Sequence, residues 1–219
     1  MIVRNNKRLY IAIGIFILVM IVNSPFPHEV PFSAGSSWIM NIPINDADGF
    51  NLSGLILLTI LCVGVYLLAT SLEKYRVRLV FLALFLYLTL PLFTINVYQN
   101  TFASGIYAID YELDSSECNF EQLDDKRMRV ICNLPLENLS NDEVKFDIRF
   151  LNVSLLGDQR KLVPLINESG PFEVSLQGRE TKMVRIQTEV DISRLNSYSD
   201  GGSTHVYIEI VQGKKTRRL

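Results

Sequence analysis

Cys118 and Cys132 are the residues whose type and pairing could most readily do chemistry in this sequence. Two thiols can form a redox pair or supply half of a zinc site. They stand fourteen residues apart, and His205 is the only imidazole beyond residue 105. A structural zinc site needs four ligands, so the metal reading fails for want of partners. A disulfide pinning two neighbouring strands is the better reading, and such bonds persist in oxidising compartments.

The carboxylates offer less. Asp124-Asp125 is the densest acidic pair in the distal part of the chain, but it has neither the alternating oxygen ligands nor the central glycine of a calcium loop. It reads as a solvated turn. His205 opens a strand-like stretch, with Ser203-Thr204 beside it in a turn and no nucleophile placed by spacing. There is no G-x-S-x-G, no phosphate-binding loop and no dinucleotide fingerprint. The sequence therefore predicts a protein that is not an enzyme, with no catalytic, cofactor-binding or metal-ligating residues.

The elements that hold these residues differ along the chain. From Leu9 to Tyr98 the only charged side chains are Glu29, Asp46, Asp48, Glu73, Lys74, Arg76 and Arg78, all in two short gaps. From Gly105 onward there are 15 Lys/Arg and 19 Asp/Glu, spread as on a wet surface. A composition break of that size marks a domain boundary near 100–105. The mild acidic lean, a net charge of -2 overall, argues against nucleic acid as a partner.

Three apolar segments fill the proximal half. Residues 9–25 follow Arg4, Lys7 and Arg8 and resemble a signal anchor, although the strictly apolar run spans only about 21 Å at 1.5 Å per residue. Residues 51–72 contain 21 uncharged positions from Leu52 to Leu72, and residues 79–98 contain twenty, with Pro91 inside. Both suit transmembrane helices, and Pro91 is expected to bend the last. Cys62, without a polar partner in its span, reads as a small apolar side chain.

Orientation follows from the basic residues. They precede the first span and fill the 73–78 turn, while the loop at 26–50 has none. That places residues 1–8 and 73–78 in the cytoplasm. The 26–50 loop and everything after the 99–104 linker then lie outside a cell membrane. Trp38, flanked by Ile39 and Met40, reads as an interfacial anchor in that outer loop.

Residues 105–219 change period. Val144, Phe146, Ile148 and Phe150 alternate with Lys145, Asp147 and Arg149, the pattern of a half-buried strand. Residues 183–190 and 205–211 repeat it, and 106–113, 128–134, 161–166 and 172–176 carry weaker strand signals. About seven strands separated by Gly, Asn and Asp turns predict an immunoglobulin-like or fibronectin-like β-sandwich. The fold class expected is thus three transmembrane α-helices followed by an all-β domain.

Lys214, Lys215, Arg217 and Arg218 form a polybasic tail on a domain that would otherwise stand at -8. It reads as a solvated end or as a contact for an anionic surface. Asn51, Asn138, Asn152 and Asn167 each begin an N-x-S sequon, too few above chance to predict glycans. With no charge inside any span, an unaided ion pump is disfavoured. The expected role is a membrane-anchored interaction or assembly protein. Its partners would be the lipid bilayer and another membrane or extracytoplasmic protein. A sensory or regulatory protein, or an auxiliary subunit of a transport or secretion complex, is the alternative.

Overall fold

The computed structural model describes residues 3–24, 26, 38–40, 42–46, 49–124, 126–153, 162–193 and 201–219. The chain divides into two compact units, which part between Asn96 and Val97 within the third long helix.

In the first unit, α1 (Asn6–Val22) is capped by Asn5, whose side chain accepts from the Arg8 N–H at 3.1 Å. It packs on α2 (Leu52–Ser71) through Ala12, Phe16 and Val19, all buried. Gly64 of α2 permits this approach: a β-carbon there would lie 2.8 Å from Ile15 Cγ2. Asn51 caps α2, accepting from the Gly54 N–H at 3.1 Å and the Ser53 hydroxyl at 2.6 Å. The third helix, α3 (Arg76–Thr101), runs 26 residues and continues through Pro91. Thr59, Thr70, Thr89 and Thr94 each donate their hydroxyl to a carbonyl one turn back. Such closure hides the polar group inside its own helix, as an apolar surrounding requires.

Two of these helices, α2 and α3, are long and apolar enough to cross a membrane. The expectation of three is thereby reduced, because α1 has only 17 residues, about 26 Å of rise. α3 also exceeds the expected 79–98 at both ends, since no glycine or proline near Arg76 or Thr101 stops it. Between α1 and α2, β1 (Trp38–Ile39) pairs with β2 (Ile42–Pro43), and β3 (Asn45–Asp46) with β4 (Gly49–Phe50).

The second unit is built from two antiparallel sheets. Its strands are β5 (Ile109–Tyr111), β6 (Glu117–Gln122), β7 (Arg127–Asn138), β8 (Val144–Val153), β9 (Phe172–Leu176), β10 (Thr181–Asp191), β11 (Gly201–Thr204), β12 (Val206–Gln212) and β13 (Lys215–Arg218). One sheet has the order β10-β7-β6-β11, with β5 also on β7, and the other β13-β12-β8-β9. Met128, Val130, Leu134 and Leu136 of the first sheet share one core with Phe146, Ile148, Ile208 and Ile210 of the second. Two antiparallel sheets closing on a single core is the layering of a β-sandwich.

The alternation in β8 holds: Val144, Phe146, Ile148 and Phe150 are buried, whereas Lys145 and Arg149 are exposed. Of residues 161–166, read as a strand, 162–166 instead lie in a helix, α4 (Leu162–Glu168), and 161 is outside the described residues. Pro164 falls in its first turn, where no backbone donor is needed, and Leu162, Val163 and Ile166 point into the core. Residues 106–113 are only partly strand, because the turn Gly105–Ala108 is a 3-10 helix. Gly105 starts it at φ +60, a conformation that favours glycine.

Truncating Phe146 to alanine is expected to cost about 3–5 kcal/mol, against roughly 0.5 kcal/mol or less for Lys145→Ala. Urea titration of the two variants, followed by the near-ultraviolet signal of the β-rich unit, checks this. Equal midpoints would place β8 in the wrong phase.

Candidate functional site

Cys118 of β6 lies directly opposite Cys132 of β7, the Cα atoms 4.0 Å apart, and the two sulfurs are bonded. Both residues are wholly buried. The bond therefore lies within one sheet, joining strands that are already hydrogen-bonded, and its sulfurs are shielded from solvent. A structural tie fits that position; a solution redox couple does not. The third cysteine, Cys62, is free and exposed on α2.

The basic run at 214–218 is exposed except at Arg217, and most of it forms a strand. A two-residue turn at Gly213-Lys214, with Gly213 at φ +60, sends the chain back as β13 on β12. Alternation then turns Arg217 inward, fully buried. Its Nη1 donates to the carbonyls of Ile106 at 3.1 Å, Tyr107 at 3.2 Å and Ile109 at 2.6 Å. Leu219 extends the pairing with two backbone bonds to Ile208. Lys214, Lys215 and Arg218 remain exposed, with Arg218 3.6 Å from Glu209 and Lys215 over the Tyr107 ring. Of the four cations in this tail, three are at the surface and Arg217 is a core residue. A two-residue turn opening with glycine between alternating segments was the signal that could have exposed β13.

Trp38 lies in β1, paired with Pro43, but its side chain and the rest of the 27–37 stretch lie outside the described residues. Asp125 does too, while Asp124 is an exposed turn residue. The Lys126 N–H and the Arg127 side chain hold its carboxyl below the usual range. From there a line of ion pairs crosses the outer face of one sheet. Asp124 meets Arg127 at 2.8 Å, Glu189 stands 3.7 Å from Arg127 and 3.9 Å from Arg129, and Arg129 meets Glu121 at 3.3 Å. Exposed pairs of this kind contribute little each, and their alternating signs leave no strong field.

A groove between the 110–114 segment and β7 gathers acidic side chains. Asp110, Glu112, Asp114 and Glu137 line it around Tyr111 and Pro135. Asp114 is 3.3 Å from Nε2 of His205, the single residue by which the chain passes from β11 in one sheet to β12 in the other. His205 takes φ 59 at that step. Neighbouring Ser116 secures the crossing: its hydroxyl accepts from the Val206 N–H at 2.8 Å, and the Tyr111 hydroxyl donates to the Val206 carbonyl at 2.6 Å. Burial pushes the Tyr111 phenol up to about 12, partly offset by the Ser116 hydroxyl. The other ring nitrogen of His205, Nδ1, stands 3.1 Å from the Thr204 hydroxyl, so the imidazole bridges a carboxylate and a hydroxyl at the exposed crossing. Among the described residues no group of three or more His, Cys, Asp or Glu could hold a metal ion.

Three of the sequon asparagines are occupied by structure. Asn138 is fully buried and donates to the carbonyls of Asp142, Leu176 and Gln177. Asn167 brackets the backbone of Phe150, and Asn51 caps α2. Set against known proteins, the chain matches no family model, no curated protein and no solved structure.

Replacing Arg217 with methionine should lower the stability of the β-rich unit by about 3 kcal/mol or more, because three carbonyls lose their buried donor. Arg218→Met should change it by about 0.5 kcal/mol at most. Chemical denaturation separates the two. Equal effects would mean that Arg217 is not the buried member of the pair.

Tyr111 gives a pH signature. Its folded value lies above the ordinary 10.0, so the folded state holds the proton more tightly and the stabilisation is complete below pH 10. Between pH 10 and 12 the unit should lose on the order of 2–3 kcal/mol that Tyr111→Phe does not lose. Parallel slopes for the two proteins across that window would contradict the burial argument.

Proposed function

We propose that the chain is an integral membrane protein whose β-sandwich, on the extracytoplasmic side, serves as a non-enzymatic interaction or assembly module. The observation that carries this reading is the uncovered surface of α3. Phe81, Phe85 and Phe93 are 61–68% exposed, on a helix without a single charge from Leu79 to Thr101. A core helix of a soluble protein would have those rings covered, whereas lipid can cover them here. All three apolar segments are taken to cross, with α1 completed by Asn23 and Ser24 near the boundary. The basic residues at 4–8 and 74–78 then favour a cytoplasmic N-terminus. The buried Cys118–Cys132 bond supports the outward placement of the β-rich unit.

The strand order favours an immunoglobulin- or fibronectin-type sandwich. Calling β6, β7, β8, β9, β10, β12 and β13 by the customary letters A, B, C, C′, E, F and G gives E-B-A, with β11 added beyond A, and G-F-C-C′. Domains of this kind present loops and edges to partners, and the acidic groove at Asp110–Asp114 suits a cationic segment of another extracytoplasmic protein. A second reading, sensing, has one observation in its favour. The last turn of α3 belongs to the β-rich unit, where Gln99 donates to the Tyr107 carbonyl at 3.3 Å and Arg179 donates to Asn100. A change in the sandwich would thus reach the helix directly.

An alkaline-phosphatase reporter joined after Leu219 is expected to be active, and one joined between Glu73 and Lys74 inactive. The reverse pattern would overturn the topology. Co-purification in mild detergent decides between assembly, which expects a stoichiometric partner, and sensing, which expects none.

A further inference from the structure

We propose that residues 3–8 and 72–78 together form a binding site for the phosphate headgroups of anionic phospholipids. The proposal rests on the membrane reading above and adds a ligand class to it. The two basic clusters are some seventy positions apart in sequence, and the fold merges them. Val3 bridges to Leu72, and the buried Ser71 accepts at its carbonyl from the N–H groups of Arg4 at 2.7 Å and Asn5 at 3.1 Å. Arg4, Lys7, Arg8, Lys74, Arg76 and Arg78 thereby share one end of the helical unit, all exposed, with Glu73 as the one acidic side chain in these two segments.

Of the three helix ends here, only the C-terminus of α2 at Ser71 opposes this charge, and its carbonyl is already engaged by the Arg4 and Asn5 N–H groups. α1 and α3 both begin here, at Asn6 and Arg76, and neither has an acidic residue in its first turn. A helix N-terminus carries partial positive charge, so basic side chains in the first turn are repelled there and anions are attracted. The arrangement thus gains most from an anion supplied from outside. Arg76 has a structural duty as well, its Nε donating to the Leu72 carbonyl at 2.6 Å, and Arg78 lies over the Tyr75 ring at 5.8 Å. Both contacts hold the turn compact without neutralising it.

The position selects the source of the anion. Arg8 is followed at once by the apolar run from Leu9, and Arg78 by that from Leu79. An anion meeting both clusters would sit where apolar chain gives way to water, which is the depth of lipid phosphates. A nucleic acid or soluble phosphate would reach the charges but gain nothing from the neighbouring apolar surface.

The test uses the full chain in neutral detergent, titrated with phosphatidylglycerol, phosphatidylcholine or glycerol phosphate and read by native mass spectrometry. Phosphatidylglycerol should be retained about tenfold over phosphatidylcholine, and glycerol phosphate should not be retained at the same concentration. The triple variant Arg4→Gln, Lys7→Gln, Arg8→Gln should lose most of that roughly tenfold preference, bringing phosphatidylglycerol close to phosphatidylcholine. The pair Lys74→Gln, Arg78→Gln should do the same, while Lys214→Gln, Lys215→Gln should leave it unchanged. Circular dichroism confirms that each variant keeps its helices, and Arg4→Lys, Arg8→Lys should retain lipid if any glutamine variant does not. Equal retention of the two lipids, or loss from the 214–215 pair as large as from the others, would overturn the site. Retention of glycerol phosphate as strong as that of the lipid would assign it to free phosphate. A chain that stays monodisperse without detergent would instead defeat the membrane reading.

Discussion

Arg217 donates from a single nitrogen to three backbone carbonyls at the point where the β-rich unit begins, and much of that unit depends on it. The chain enters through a 3-10 turn, Gly105–Ala108, before it joins a sheet at Ile109. Irregular backbone of this kind directs carbonyls into the interior, where an unpaired acceptor costs on the order of 1–3 kcal/mol. A donor must arrive from elsewhere, and the last strand brings it. The entry and the final strand are more than a hundred positions apart, so the contact also closes the sandwich end to end. A guanidinium suits this task better than an amide, because its donors are fanned in one plane and stay protonated when buried.

The two halves of the chain meet the same requirement by different means. In α2 and α3 the helical ladder serves the backbone, with one donor missing at Pro91, and the threonine hydroxyls are closed onto nearby carbonyls. That leaves only apolar surface to be covered from outside. In the β-rich unit the ladders satisfy the strands, but turns and crossings need side chains. Ser116, Tyr111, Asn138, Asn167 and Arg217 each supply donors or acceptors to backbone that no ladder reaches. The buried polar residues of the sandwich are therefore concentrated at its irregular points.

Patterns of period two and long uncharged runs were legible in the sequence because they average over many residues. The inward face of β8, the strands β7, β10 and β12, and the helices α2 and α3 all follow from such patterns. The disulfide was legible too, since elimination left two cysteines with one use. What escaped was short or depended on distant contacts. β6, with Glu117, Asn119, Glu121 and Gln122 exposed, has too little apolar signal to stand out from a charged turn. β11 consists of Gly201, Gly202, Ser203 and Thr204, composition that reads as a turn until Cys118 and Asn119 are placed beside it. α4 has only seven residues, too few for a helical period to distinguish it from a strand. Arg217 was missed because a cation among four reads as surface, and burial becomes apparent only when the carbonyls of residues 106–109 are known to face it.

Motif reading meets the same limit at Asn138 and its neighbours. Asn138-Leu139-Ser140 has the form of a glycan acceptor, yet the asparagine is buried and its amide nitrogen already serves three carbonyls. Its oxygen accepts from the Ser140 N–H and hydroxyl, so the serine of the motif is engaged in the same turn. Asn and Ser two apart recur in such turns because both bond readily to nearby backbone. The turn after β9 packs against this knot so closely that a β-carbon on Gly178 would fall 2.1 Å from the Asn141 carbonyl oxygen. Arg179 can then donate to the side chain of Asn141 and to Asn100 in the last turn of α3. One buried asparagine thus joins the two turns that carry the chain between the sheets, and their arginine reaches Asn100. The residues that look like a modification signal are better explained as the joint through which the helix enters the sandwich.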